Sequence, residues 1–262
     1  MKIAALVDLT PLCKKAVEWA GFIAEYADAE LVLVHVASHS TSDESITQQL
    51  KPLCGIPADK VRVETHVARG DFFSVIPTEI DELNVDLVVI PTHGKVGLKQ
   101  NLFGANILKL VKILRAPSLV VQEGTPVSAE MLRRVLFPIG PHDNFHLQIE
   151  QTAALAKLFE SEVVIYTVRN DIRGVDEKLR VNIQAAKDLF SRKGIKHEAV
   201  SEAPSSFSAG YSKHILAFAK KHGLKSVSMM ANVSEDNAYI GNYDKENIIL
   251  NADALPVLCA NG

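Results

Sequence analysis

Cysteine is scarce in this chain, and its three copies, Cys13, Cys54 and Cys259, are far apart. An odd number at wide spacing offers neither a disulfide framework nor the paired spacing of a zinc site, and a reducing, cytoplasmic setting is expected. Long apolar runs are also missing. None approaches the roughly 18 residues that a membrane span needs, and the apolar run before Asp8, Ile3–Val7, is only five residues long, too short for the core of a signal peptide. No charge of one sign dominates: the formal net charge of −3 gives no basis for broad binding to nucleic acid or to an acidic membrane. Pairs such as Lys14–Lys15 and Lys220–Lys221 read as solvated helix faces. Several catalytic signatures are absent. There is no G-x-x-x-x-G-K-[S/T] loop, no G-x-G-x-x-G after the first strand and no G-x-S-x-G elbow. His142 and His146, four apart, lack a third metal ligand.

What is present is a strand–helix programme written twice. Apolar content of 47% with 23% charged residues is that of a globular protein, and 262 residues suit two domains. In the first half the apolar runs Ile3–Val7, Leu31–Val36, Leu87–Ile90 and Ser118–Val121 predict strands, and the alternation of Val61–Val67 predicts a half-exposed one. Thr10-Pro11 supplies an N-cap and first-turn proline for a helix with Leu12, Ala16, Trp19, Ala20, Ile23 and Ala27 on one face. Further helices are expected at Asp43–Leu53, at Asp71–Leu83, where Pro77 should bend or delay the start, and at Ala105–Leu114.

After a linker, Glu123–Met131, the programme restarts. Strands are expected at Val135–Ile139, Val163–Val168, His197–Val200, Ser226–Met230 and Val257–Cys259. Helices are expected at Asn144–Phe159 (Leu147, Thr152, Leu155 and Leu158 inward), Val175–Arg192, Tyr211–His222 and Gly241–Leu250. The phrases APSLVV and LPVLC place their prolines, Pro117 and Pro256, 139 residues apart, which argues for duplication.

Strands alternating with helices at short links make parallel sheets covered on both faces, with ligand sites where the winding reverses at the strands' carboxyl ends. If the winding reverses between strands 1 and 4, Asp8 and the loop Pro91–Gly104 line one crevice. That loop runs from a strand into a helix and carries Gly94, Gly97 and Gly104, a setting in which backbone amides can face phosphate. Asp8 could accept hydrogen bonds from ribose hydroxyls, or cap the first helix near Thr10. Lys95 and Lys99 could screen phosphate charge, or be solvated.

The chain resembles a tandem universal stress protein. Nucleotide-binding members of that family carry Gly-x2-Gly-x9-Gly-(Ser/Thr) after strand 4; here the positions are Pro91, Gly94, Gly104 and Ala105. His93 and Lys95 resemble common loop residues, Asp8 the strand-1 aspartate, and His35-Val36 the strand-2 end that brackets adenine. The resemblance implies an α/β fold of two Rossmann-like (adenine nucleotide alpha hydrolase-like) domains, residues 1–123 and 132–262. Each has a five-stranded parallel sheet in the order 3-2-1-4-5 with helices on both faces. It also implies pairing of the domains through their last strands, an internal pseudo-dimer, with further homodimers common in the family.

Pro91 lacks an N–H and Ala105 a hydroxyl, a loss that the amides of Ala105 and Asn106 and the Asn106 side chain could offset. The second half departs further. Gly140 stands where the first has Asp8, Asp143 follows late, and Glu235-Asp236 oppose an anion, so no nucleotide is expected there. The function implied is a non-catalytic stress-response regulator that binds ATP or AMP in domain 1, with protein partners and without nucleic acid or membrane. A nucleotide-free interaction scaffold is the first alternative and a slow ATPase the second.

Overall fold

The computed structural model describes residues 1–37, 41–53, 60–94, 106–141, 145–168, 177–202, 210–232 and 240–261. The chain divides into two units, Met1–Val127 and Ser128–Gly262, the division falling inside the Glu123–Met131 segment.

In the first unit the elements are β1 Lys2–Leu6, α1 Cys13–Ala27, β2 Glu30–Ala37, α2 Asp43–Leu50, β3 Val63–Arg69, α3 Phe72–Glu82, β4 Leu87–Thr92, α4 Ile107–Ile113 and β5 Ser118–Gln122. All strand pairs are parallel, in the order β3-β2-β1-β4-β5. The winding therefore reverses between β1 and β4. β1 and β4 are fully covered because their residues are apolar on both sides: Ile3 to Leu6 and Val88 to Ile90 are all 0% exposed. Each valine, leucine or isoleucine among them contributes about 1.5–3 kcal/mol by leaving water, each alanine less. β3 is half-exposed apart from Ala68, as its alternation predicts.

Local differences have local causes. α1 starts at Cys13 and not at Pro11, and the Thr10 hydroxyl serves Asp8 instead of the helix. α3 starts at Phe72 despite Pro77, because the Asp71 carboxylate caps it through Ser74 N at 3.1 Å; Pro77 is interior and supplies no N–H to the Phe73 carbonyl. β4 runs two residues beyond its expected end, so Pro91 belongs to the strand.

The second unit holds β6 Arg134–Pro138, α5 Phe145–Leu158, β7 Glu162–Val168, α6 Glu177–Arg192, β8 Lys196–Glu202, α7 Tyr211–Lys221, β9 Ser226–Met230, α8 Asn242–Ile249 and β10 Val257–Ala260. Its strands are parallel in the order β10-β9-β6-β7-β8, the arrangement of the first unit. Gly194 and Gly223, at φ +70° and +64°, end α6 and α7 as left-handed glycines do. Leu147, expected inward, is 42% exposed; Gln148 turns inward in its place.

The duplication holds residue by residue. Val7 N donates to Val34 O, and Ile139 N to Tyr166 O, each at 2.9 Å, so the first two strands and their helix repeat at 132 residues. Asp28 and Glu160, the left-handed residues after α1 and α5, are also 132 apart. The registers Val88↔Ser118 and Val227↔Val257 repeat at 139. An ion-pair network at the amino ends of the strands is copied with them. Glu30 meets Arg62 at 2.9 Å and Lys2 at 3.8 Å; Glu162 meets Arg134 at 3.1 Å and Lys196 at 3.2 Å. Burial pushes Glu162 up, but Lys196 and Arg134 outweigh it and hold its pKa below 4.5.

One seam differs. Where the first unit packs Ala16, Ala20 and Val89, the second places Gln148, Thr152 and Ser228. Gln148 Nε2 donates to Ser228 O at 3.0 Å, and the Thr152 and Ser228 hydroxyls meet at 2.6 Å. Likewise Gln151, at the position of Trp19, holds both the N and the O of Asn261, at 2.9 and 2.6 Å.

Candidate nucleotide site

The ladder between β1 and β4 ends at Ala5↔Val89. On either side pairing goes on, through Leu6↔Val34 and Val7 N to β2, and through Thr92↔Gln122 to β5. A gap between two strands at their carboxyl ends is the place where such sheets hold ligands. Pro91 helps to open it. Val88 N donates to Pro117 O, so Val88, Ile90 and Thr92 turn their backbone groups to β5, whereas Val89 and Pro91 turn theirs to β1. Pro91 has no N–H to offer β1, and pairing stops one step before it. The gap thus receives a carbonyl from position 91 but no amide.

Asp8 stands on the β1 side of this gap. Counting on from the registers, it is level with Val36 on β2 and with Thr92 on β4. It is half-buried. Its Oδ1 accepts from Thr10 N at 3.0 Å and from Thr10 Oγ at 2.6 Å, a local turn of the kind aspartate favours. Its Oδ2 has no hydrogen-bond partner among the described residues. One oxygen thus shapes the turn ahead of α1, and Asp8 does not cap the helix itself. Leu9, next in the chain, takes φ +61°, a left-handed conformation that costs a branched L-residue about 1–2 kcal/mol. Asp28, Asn84 and Glu160 share that conformation at helix ends; Leu9 does so at the gap.

His35 Nδ1 lies 2.7 Å from Val7 O. A carbonyl only accepts, so Nδ1 carries the proton and the imidazole is fixed against the end of β1. Val36 follows, half-buried. Cys13 lies behind the turn, its thiol donating to Thr10 O at 2.8 Å. Burial first, then the Asp8 charge, push its pKa to about 11, so it stays a thiol and is no nucleophile.

On the β4 side, His93 Nδ1 is 3.8 Å from the Glu123 carboxylate. Gly94 takes φ +67°, and a Cβ there would fall 2.2 Å from Gln122 Oε1. Of the residues expected on the loop, Lys95, Gly104 and Ala105 lie outside the described residues, as do Gly97 and Lys99. Asn106 is exposed and precedes α4 without a side-chain capping bond. The structure therefore brings Asp8, His35 and Val36 to the carboxyl ends of adjacent strands, with Pro91 to Gly94 across the gap. The sequence marks Thr10 only as a helix cap, and Leu9 and Gln122 not at all; the Asp-x-Thr spacing is the available signal for the bond from Thr10 to Asp8.

The second unit fills the same region differently. Gly140 corresponds to Asp8, and its carbonyl accepts from the buried Asn182 Nδ2 at 2.8 Å. Pro141 corresponds to Leu9; proline's φ near −65° forbids the left-handed turn. At the end of β9, Lys245 Nζ donates to Ala231 O at 2.7 Å while 2% exposed. Asp244 caps α7, accepting from Ser212 N at 2.9 Å and Oγ at 2.6 Å. His142, Asp143 and Glu235-Asp236 lie outside the described residues. Among the described residues no cluster of three or more His, Cys, Asp or Glu could hold a metal, and no helix is long and apolar enough to cross a membrane.

Both units are Rossmann-like α/β domains. Residues 1–122 match the sequence model of the Universal stress protein family. That match spans the first unit; the second unit repeats the first in strand order and residue by residue.

Among solved structures, a universal stress protein from Archaeoglobus fulgidus is similar over 100% of this chain and 98% of its own, with TM-score 0.75 and 16% identity. A functionally unknown protein from Pseudomonas aeruginosa PAO1 is similar over 99% and 92%, with TM-score 0.62 and 16% identity. The cytoplasmic domain of a prokaryotic cation chloride cotransporter is similar over 99% and 95%, with TM-score 0.55 and 11% identity. At these identities the likeness is one of fold, and function has to be argued from the site. No curated protein matches the sequence.

Proposed function

We propose that the first unit binds an adenine mononucleotide, ATP, ADP or AMP, in the gap between β1 and β4, and that the protein acts as a cytoplasmic, non-catalytic stress-response regulator. The observation that carries this reading is the Asp8 carboxylate: Oδ1 is committed to Thr10, and Oδ2 has no hydrogen-bond partner among the described residues at the point where the sheet parts. A carboxylate oxygen there suits the paired hydroxyls of a ribose, each charge-assisted bond contributing about 1.5–3 kcal/mol. The end of β2 at His35-Val36 suits the flat, apolar base. A non-catalytic role fits the chemistry of the gap, where the neighbouring thiol, Cys13, is held protonated by burial. The second unit, with Gly140 and Pro141 in place of Asp8 and Leu9, is read as nucleotide-free.

A nucleotide-free scaffold is the second reading. It is favoured by Pro91, which withdraws an amide from the gap, and by Gly94, whose missing side chain is already accounted for by Gln122. Mass spectrometry of the small molecules retained by the purified full chain separates the two. Retained adenine mononucleotide supports binding; its absence, together with no uptake of ATP at millimolar concentration, leaves the scaffold.

A further inference from the structure

We infer that Gln122 is a positioning residue for the nucleotide loop: it sets the direction of the chain at Gly94 and ties that loop to the turn that follows β5. The inference rests on the nucleotide reading of the first unit.

Gln122 ends β5 opposite Thr92, the last residue of β4. Two residues beyond Thr92 the chain turns through Gly94, and the Gln122 carboxamide occupies the volume a side chain there would need. An ideal Cβ on Gly94 lies 2.2 Å from Gln122 Oε1 and 3.0 Å from Cδ. The left-handed φ of +67° itself favours glycine at position 94, and with Gln122 as placed a Cβ there would have to push the end of the carboxamide aside.

The glutamine is itself held. Its backbone N donates to Thr125 Oγ1 at 2.9 Å, Thr125 N donates back to Gln122 O at 2.9 Å, and Thr125 is 1% exposed. Gln122 is 7% exposed, so its carboxamide is lodged within the protein. Beside it, His93 faces Glu123. Two consecutive loop residues are therefore seated on two consecutive residues at the end of β5. A loop whose amides meet an anion must hold their direction, and small misplacements are expensive in such contacts. Gln122 supplies that direction at Gly94, and the closed turn Gln122–Thr125 keeps Gln122 in place.

In the second unit Asn261 takes the place of Gln122, one methylene shorter, and its backbone is held by Gln151 from α5.

The test is a double-mutant cycle on the full chain, reading ATP affinity by titration and the melting temperature of the ligand-free protein. Gln122→Ala is expected to weaken ATP about tenfold, the scale of one misdirected hydrogen bond to a charged group. Gly94→Ala is expected to abolish binding, and Gly94→Ala/Gln122→Ala to recover part of it, because the second change removes the atoms the new Cβ strikes. Gln122→Met keeps the bulk and serves as a folding control; it should melt close to wild type while still binding ATP more weakly. Gln122→Ala with wild-type affinity, or a double variant no better than Gly94→Ala, overturns the inference alone. A wild-type chain that takes up no ATP removes the nucleotide reading and this inference with it.

Discussion

The Asn182 side chain donates to the Gly140 carbonyl at 2.8 Å, at the position where the first unit presents Asp8. One half of a duplicated chain ends its first strand with a carboxylate oxygen that has no partner among the described residues, and the other ends it with a carbonyl already satisfied from within. The two units share strand order, register and ion pairs, yet the groups they present at this point differ.

Asn182→Ala should therefore destabilise the chain by about 1–3 kcal/mol, the cost of leaving a buried carbonyl without its donor. It should leave ATP affinity unchanged. Chemical denaturation and titration of the same variant check both halves of the statement.

Leu9 stores strain. Leu9→Asn, a residue that tolerates the left-handed region, should raise stability by about 0.5–1 kcal/mol, since it relieves the backbone at the loss of a half-buried side chain. A melting curve decides; a lower midpoint would show that Leu9 is packed more profitably than its φ suggests.

The seam of Thr152 and Ser228 should show coupling. Thr152→Val takes away the partner of the buried Ser228 hydroxyl, and Ser228→Ala removes the same bond although the Thr152 hydroxyl still donates to Gln148 O at 2.5 Å. The double variant should cost less than the sum of the two singles, by about 0.5–2 kcal/mol. Additive losses in urea denaturation would contradict a direct hydroxyl–hydroxyl bond.

Two buried thiols set the alkaline limit. Burial and the Asp8 charge raise Cys13 to about 11; burial raises Cys259 to about 12, against a smaller pull from the Lys245 ammonium. A group whose pKa is raised on folding contributes stability fully below its unfolded pKa and loses it as pH climbs toward the folded value. Stability should thus decline from pH ~9 upward, roughly the unfolded thiol's pKa. Cys13→Ser/Cys259→Ala should flatten the decline. Glu162 acts at the other end: its lowered pKa contributes stability above about 4.5 that is lost as acid protonates it.

Much of the fold was legible because it rests on pattern. Strand β9 falls on Ser226–Met230 as its apolar run predicts, and the spacing of Pro117 and Pro256 at 139 residues is also the register spacing of β4–β5 to β9–β10. Boundaries that depend on single side-chain bonds were not legible. Thr10 looks like a helix cap until its hydroxyl is seen on Asp8, and Pro91 reads as the first loop residue although a strand end facing a gap tolerates it. Leu147 and Gln148 exchange roles because a glutamine that finds Ser228 O can be buried and a leucine at the wrong angle cannot. At the site, Asp8 stood out by its place after an apolar strand. Leu9 and Gln122 gave no signal, since a strained leucine and a wedge beneath a glycine are tertiary facts.

The central claim is that one nucleotide binds per chain and that Asp8 holds it. Calorimetric titration of the full-length protein with ATP, repeated on Asp8→Ala, tests it most directly. The account predicts a stoichiometry of one, with Asp8→Ala weakening binding at least tenfold, the scale of losing charge-assisted bonds to a ribose. Two equivalent sites per chain, or an Asp8→Ala variant that binds as tightly as the parent, would contradict it.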